Sequence, residues 1–372
     1  MTRIGVFGGS FDPVHSGHLI LAEQLREEAG LDRVIFIPTF VSPFKQGVKA
    51  ACGEDRVRML ERAFEGNPYF SVSDIELRRE GTSYTIDTLE ALKEQHPDAE
   101  LCFIMGTDAF LGIEGWYRSE DLLRDFTFLV GMRKGYDNEA LLAFAQKMRE
   151  KYSSSVRCFD IPELEISSSD MRFRHQAGRS LKYMTPDPVI DYIDGKGLYT
   201  GLLESLEAFA MEHQSEKRLR HTRGVVEYAE KYALKYGADP FKAKVAAWFH
   251  DNFKDAGNLE HGYVAADEIQ KRFGISDPDI LNALRYHTTG RPNMSLLEKV
   301  IKLADQLEPS RIFPGAEELR AGVSDDIDET LLTLLERTKE YVLAKGQPYD
   351  ELSQQAIDHY RKKAEEKAKA SA

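Results

Sequence analysis

From Thr2 to about Tyr199, short apolar runs alternate with amphipathic stretches along this chain. The runs Ile4–Phe7, Val34–Ile37, Phe70–Val72, Leu101–Met105, Phe126–Val130 and Val156–Phe159 have the length and β-rich composition of buried strands. Helical periodicity is clearest at Glu54–Phe64, Thr85–Lys93 and Glu139–Lys151. Strands alternating with helices predict an α/β unit. Its doubly wound parallel sheet is covered on both faces and binds ligands at the carboxyl ends of the strands. Past Gly195-Lys196-Gly197 the strand signal stops. From about Leu202 nearly every segment is helix-periodic, with breaks at Gly237-Ala238-Asp239-Pro240, Asp277-Pro278 and Arg291-Pro292. The pattern predicts two domains, 1–200 and 201–372, the first α/β and the second all-α.

Composition changes this picture only at its edges. Of 372 residues, 42% are hydrophobic, enough for two cores, and 30% are charged, as expected of a soluble protein. A net charge of −13 weighs against general nucleic-acid binding, because phosphate backbones need basic faces. The chain shows no apolar leader and no run as long as a membrane span. Cys52, Cys102 and Cys158 are isolated and suit a reducing compartment, so a cytoplasmic location is expected.

The first strand runs into Gly8-Gly9-Ser10-Phe11-Asp12-Pro13-Val14-His15-Ser16-Gly17-His18, and a helix pattern starts near Ser16. Strand, glycine turn and helix start form a corner whose free N–H groups favour an anion. His15 and His18 flank the first helical turn, so both rings can point at one phosphate, taking the place of a P-loop lysine. A second corner, Ile166-Ser167-Ser168-Ser169-Asp170-Met171-Arg172, offers serine caps, N–H groups and Arg172 one turn later. Alone it would read as an ordinary serine cap. Three other groups lie at helix starts or strand ends: Ser83-Tyr84-Thr85, Gly106-Thr107-Asp108 and Trp116-Tyr117-Arg118. The last sets a flat ring beside a cation, suited to an aromatic carboxylate.

The first corner matches Gly-x-Phe-Asp-Pro-x-His-x-Gly-His and resembles the signature of the nucleotidylyltransferase superfamily, with its Rossmann-like fold. With the three acceptor groups, residues 2–199 resemble the bacterial nicotinate mononucleotide adenylyltransferases of NAD synthesis. The resemblance implies an ATP site at Gly8, Gly9, Ser10, Phe11, His15, His18, Lys45, Arg133, Ile166, Ser167, Ser168 and Arg172. It places the mononucleotide at Tyr84, Thr85, Gly106, Asp108 and Trp116, and it implies Mg²⁺ with ATP. His15, His18 and Arg172 would be the catalytic groups. The family's Pro-Pro-His-Lys stretch stands here as Ser42-Pro43-Phe44-Lys45, which keeps the lysine in a different local setting. Phosphopantetheine or nicotinamide mononucleotide remain alternative acceptors.

In the second half, His221, His250-Asp251 and Asp305 lie on separate helical segments and supply nitrogen and carboxylate ligands for a divalent metal. His261 and His287 could complete a second site, with Asp251 bridging the two; such a binuclear centre would activate water. This ordered set resembles the HD phosphohydrolase superfamily. The segments around His250, His287 and Asp305 are similar to those of the symmetrical diadenosine tetraphosphate hydrolases that use iron. That resemblance implies Fe or Mn, Asp251 and Lys254 as catalytic groups, Arg291 as a further phosphate contact, and hydrolysis of diadenosine polyphosphates, the tetraphosphate giving two ADP. A nucleotide-sensing module without turnover is the alternative. Neither the oligomeric state nor any coupling between the halves is readable.

Overall fold

The computed structural model describes residues 1–40, 51–133, 138–162, 164–312 and 315–370, with the backbone alone at Arg133 and Ala370. They form two compact units, Met1–Thr200 and Gly201–Ala372. Among the described residues no helix is long and apolar enough to cross a membrane.

The first unit is built on six parallel strands: β1 (Thr2–Gly9), β2 (Arg33–Pro38), β3 (Phe70–Val72), β4 (Ala99–Gly106), β5 (Thr127–Arg133) and β6 (Ser155–Ile161). Their order across the sheet is β3-β2-β1-β4-β5-β6. Each strand alternates side chains between two cores. Leu101, Phe103 and Met105 of β4 enter one, while Cys102 and Ile104 enter the other. Helices α1 (Ser16–Ala29), α2 (Gly53–Ala63), α3 (Ile75–Arg79), α4 (Thr85–Gln95), α5 (Thr107–Leu111), α6 (Ser119–Asp125), α7 (Asn138–Tyr152), α8 (Ser168–Gln176) and α9 (Asp187–Lys196) complete it. Ala22 and Leu25 of α1 join the core of Phe7 and Phe36, and Leu89 and Leu92 of α4 join the opposite one. The strand order reverses between β1 and β4, so the crevice at their carboxyl ends is the natural ligand position.

The second unit is wholly helical among its described residues: α10 (Leu202–His213), α11 (Glu216–Tyr236), α12 (Pro240–Phe249), α13 (His261–Phe273), α14 (Pro278–Tyr286), α15 (Leu296–Leu307), α16 (Ala316–Ala321), α17 (Ile327–Ala344) and α18 (Glu351–Ala370). Helix α12 is buried nearly all round, with Val245 to Phe249 inside. That makes it a central element, against which α10, α11, α14 and α15 pack. Asp239 and Asp277 cap α12 and α14 through side-chain oxygens, and a proline follows each as the first helical residue. These are the breaks visible in the sequence.

Candidate active sites

The β1–α1 corner is held together by its own aromatic residues. Phe11 adopts a left-handed backbone (φ 46°) and turns its buried ring edge-on to Phe7 and to His18. A Cβ on Gly9 would lie 2.9 Å from the Phe11 ring, so only glycine fits there. His15 and His18 stack with ring centroids 3.6 Å apart, and the His15 backbone N–H donates to His18 Nδ1 at 3.3 Å. Burial pushes the His15 imidazole down to about 4, so it is neutral near pH 7; its Nδ1 is buried with no partner.

The second corner meets the first. Ser167 caps α8 by accepting from the Asp170 N–H, while the Ser168 hydroxyl donates to the Pro13 carbonyl at 2.9 Å. The Ser168 hydroxyl thus braces the β1–α1 loop beside the N–H groups at the start of α8. Arg172 donates to the Asp12 carbonyl at 2.6 Å and pairs with the Asp12 carboxylate at 3.5 Å. Ile166 packs against the Phe7 core beside this corner. The Ser10 carbonyl accepts from Arg56, and the Asp12 carboxylate accepts from Tyr199 and the Ala51 N–H. The sequence marked Asp12 only as part of a signature and gave no sign of Arg56 or Tyr199, whose separations of 46 and 187 residues carry no local pattern. Lys45 and the Arg133 side chain lie outside the described residues.

The acceptor groups line the neighbouring strand ends. Gly106 ends β4, and exposed Asp108 sits in the first turn of α5. Tyr84 precedes Thr85, the first residue of α4, and its ring lies 4.5 Å from Tyr117. Trp116 meets Phe103 edge-to-face at 6.3 Å, and the Phe103 ring lies 3.6 Å from where a Gly8 Cβ would be. Arg118, expected beside the ring as a cation for a carboxylate, is instead paired with Glu90 and Asp121 at 2.9 and 3.0 Å.

In the second unit four histidines share one orientation. His250, His261 and His287 direct Nδ1 at the carbonyls of Ala247, Gly257 and Leu284, at 2.7, 2.9 and 2.7 Å. A proton donated there leaves Nε2 as a bare lone pair. His221 does the same through a carboxylate, with Nδ1 2.8 Å from Glu308 Oε1. The Nε2 atoms then converge on Asp251. Two groups have ligand atoms within 4.8 Å of one another, His221 with His250 and Asp251, and Asp251 with His261 and His287. Asp305 Oδ1 lies 3.0 Å from His221 Nε2 and 3.8 Å from His250 Nε2.

These residues fit a pair of divalent cations. His250 Nε2 is buried without a partner, and the Nε2 atoms of His261 and His287 face each other at 2.9 Å. Two lone pairs at that distance need a proton or a cation between them. Burial pushes His250 down to about 4. For His221 burial works the same way, but Asp305 and Glu308 outweigh it and raise the ring to about 9. Burial would raise the Asp251 carboxyl, yet the surrounding histidines hold it far below the usual carboxylate range.

Lys254 Nζ lies 3.0 Å from Asp251 Oδ1 and 3.2 Å from His261 Nε2, at the edge of the cluster. Arg291 is different. It forms a two-pronged pair with buried Glu298 at 2.7 and 2.8 Å and lies over the Tyr286 ring. Arg311, which the sequence did not single out, lies 2.6 Å from Asp305 Oδ1 and 3.4 Å from His221 Nε2. Only the turn after α15 brings it back to the cluster.

Residues 6–174 match the cytidylyltransferase-like family and residues 218–310 match the HD domain family. The "Probable nicotinate-nucleotide adenylyltransferase" of Desulfitobacterium hafniense is 42% identical over 197 residues, 53% of this chain and 95% of the relative. The protein of the same name from Symbiobacterium thermophilum is 41% identical, over 54% of this chain and 96% of its own length. Among solved structures, a "predicted HD superfamily hydrolase involved in NAD metabolism" from Clostridium acetobutylicum is 32% identical, over 43% of this chain and 97% of that one, with a TM-score of 0.40.

Proposed function

Through its first half this chain belongs to the nicotinate-nucleotide adenylyltransferase family, with an HD domain in its second, and from that premise we propose that it carries two activities. The first unit transfers the adenylyl group of ATP to nicotinate mononucleotide. An oxygen of the mononucleotide phosphate forms a bond to the α-phosphorus, the bond to the α–β bridging oxygen breaks, and pyrophosphate leaves with those electrons. The attacking phosphate is already ionised, so no general base is needed; positioning and charge stabilisation supply the rate. The meeting of the His15–His18 stack with the α8 N-terminus, across Ser168–Pro13 and Arg172–Asp12, is the observation that carries this reading. The rings of His15 and His18 donate to phosphate oxygens, and the first turns of α1 and α8 add N–H donors. Mg²⁺ would be held mainly by the ATP phosphates, because the Asp12 carboxylate is already engaged with Tyr199, Ala51 and Arg172. With Arg118 occupied, the free N–H groups at the start of α4 are the donors suited to the nicotinate carboxylate.

The second unit hydrolyses a nucleotide phosphoanhydride, with diadenosine tetraphosphate as the substrate giving two ADP. The shared position of Asp251 between two histidine groups carries this reading. When bound, a pair of Fe or Mn ions supplies an activated water and a clamp for phosphate oxygens. His221, His250, His261, His287, Asp251 and Asp305 hold the ions, while Lys254 and Arg311 supply positive charge beside them. Both units act on adenine nucleotides, ATP in the first and diadenosine tetraphosphate in the second, and the hydrolase removes dinucleoside polyphosphates formed as by-products of adenylyl transfer.

The test uses full-length protein purified anaerobically. Nicotinate mononucleotide should outcompete its amide in kcat/KM with ATP, and diadenosine tetraphosphate should give ADP alone. Equal use of acid and amide would overturn the acceptor assignment. Bound metal without turnover would redirect the second unit to other phosphoesters, and no bound metal would favour the sensing module.

A further inference from the structure

Three polar side chains in the second unit are buried outside the proposed ligand set. Thr222 is 0% exposed, Asn252 6% and Gln214 9%. The Thr222 hydroxyl donates to Gln214 Oε1 at 2.9 Å, Gln214 Nε2 donates to Asn252 Oδ1 at 2.6 Å, and Asn252 Nδ2 donates to the Trp248 carbonyl at 3.2 Å. Burying such groups costs free energy unless each finds a partner, and an apolar packing would hold the helices together as well. A directional chain does something apolar contacts cannot: it sets one distance between the backbones it joins.

Which backbones it joins is the point. Thr222 directly follows His221 on α11, and Asn252 directly follows Asp251 after α12. Gln214, at the end of α10, bonds to both. His221 Nε2 and Asp251 Oδ2 stand 4.0 Å apart, a gap that one cation must span from both sides. A small slip of α11 against the turn at Asp251 would open it.

Resting on the metal-centre reading above, we propose that Gln214 is a positioning residue for that centre, a clasp that fixes the spacing between His221 and Asp251 without touching the metal. Groups behind metal ligands commonly change affinity by roughly 10- to 100-fold when removed, and Gln214→Leu should fall in that range for Mn²⁺.

Metal-stripped full-length protein is titrated with Mn²⁺ while the free ion is followed by electron paramagnetic resonance. Asp251→Asn provides the blank that identifies sites belonging to the cluster. Tyr360→Phe is the stability control, because it removes the buried hydroxyl that accepts from the Met294 N–H in a separate core of the same unit. Both Gln214→Leu and Tyr360→Phe should lower the melting temperature of the metal-free protein, and Gln214→Leu alone should lose Mn²⁺ affinity. Unchanged affinity in Gln214→Leu overturns the clasp, as does an equal loss in Tyr360→Phe. Should Gln214→Leu fail to fold, Thr222→Val deletes one bond of the chain at constant shape; a smaller loss in the same direction supports the clasp, and unchanged affinity overturns it. Wild-type protein that binds no more Mn²⁺ than Asp251→Asn removes the metal-centre reading, and the clasp with it.

Discussion

His15 and Asp251 are each buried at the centre of a candidate site, one as a histidine kept neutral and the other as the carboxylate on which histidines converge. For His15 burial is the cause, and its pKa near 4 lies below the ordinary value of 6.5. The unfolded chain therefore binds more protons between those values. The stabilising effect of a neutral His15 is complete above pH 6.5 and is lost as pH falls toward 4, by at most about 3 kcal/mol. Urea unfolding of full-length protein at pH 7 and pH 5 should show this loss, and His15→Gln should lessen the slope. Asp251 is the one side chain shared by both histidine groups. Asp251→Asn should abolish tight metal binding and phosphohydrolysis together while adenylyl transfer in the same sample stays at the wild-type rate. A variant that keeps its metal would show that the two groups do not depend on the carboxylate they share.

At the scale of elements, close approach of backbones matters more than side-chain identity. A Cβ on Gly262 would lie 2.5 Å from the Leu284 carbonyl oxygen, so α13 and α14 touch where the glycine leaves room. His261 precedes that glycine on α13, and His287 closes α14. Gly262→Ala forces the helices apart and should destabilise the unit by about 1–3 kcal/mol. Because it also separates His261 from His287, metal affinity should fall with it, read by melting and by Mn²⁺ titration. Lys302 of α15 reaches the backbone that carries His287. Its buried ammonium, pushed down to about 8 by burial, donates to the carbonyls of His287 and Thr288. The apolar positions of α15, among them Leu297, Val300, Ile301, Ala304 and Leu307, leave Lys302 on the opposite, polar face, so nothing in the sequence says that this lysine is buried or which carbonyls it reaches.

At the scale of the whole molecule, two units with separate chemistry predict separable responses to metal. Chelation should stop both activities, and adding back Mg²⁺ alone should restore adenylyl transfer without phosphohydrolysis. Recovery of both by Mg²⁺ would contradict a dedicated transition-metal centre. The strands and the all-helical second half were readable in advance because period-2 and period-3.6 patterns record which face of each element is buried. The β1–α1 corner was readable because its residues are consecutive. Arg118 was read as a ligand cation from its place beside Trp116, and Ser168 and Arg291 from the resemblances; in the fold they bond to Glu90, Pro13 and Glu298, partners that no local pattern indicates.

The amino-acid sequence by itself determined the order of elements, the α/β and all-α character of the halves, and the residue types at each corner, since these follow from local periodicity and from motifs of adjacent residues. Only the tertiary structure decided that α8 braces the β1–α1 loop, that the histidine Nε2 atoms converge on Asp251, and that Gln214 joins the segments bearing His221 and Asp251. Those facts depend on distances between residues up to 155 positions apart, and folding sets such distances by packing whole elements together.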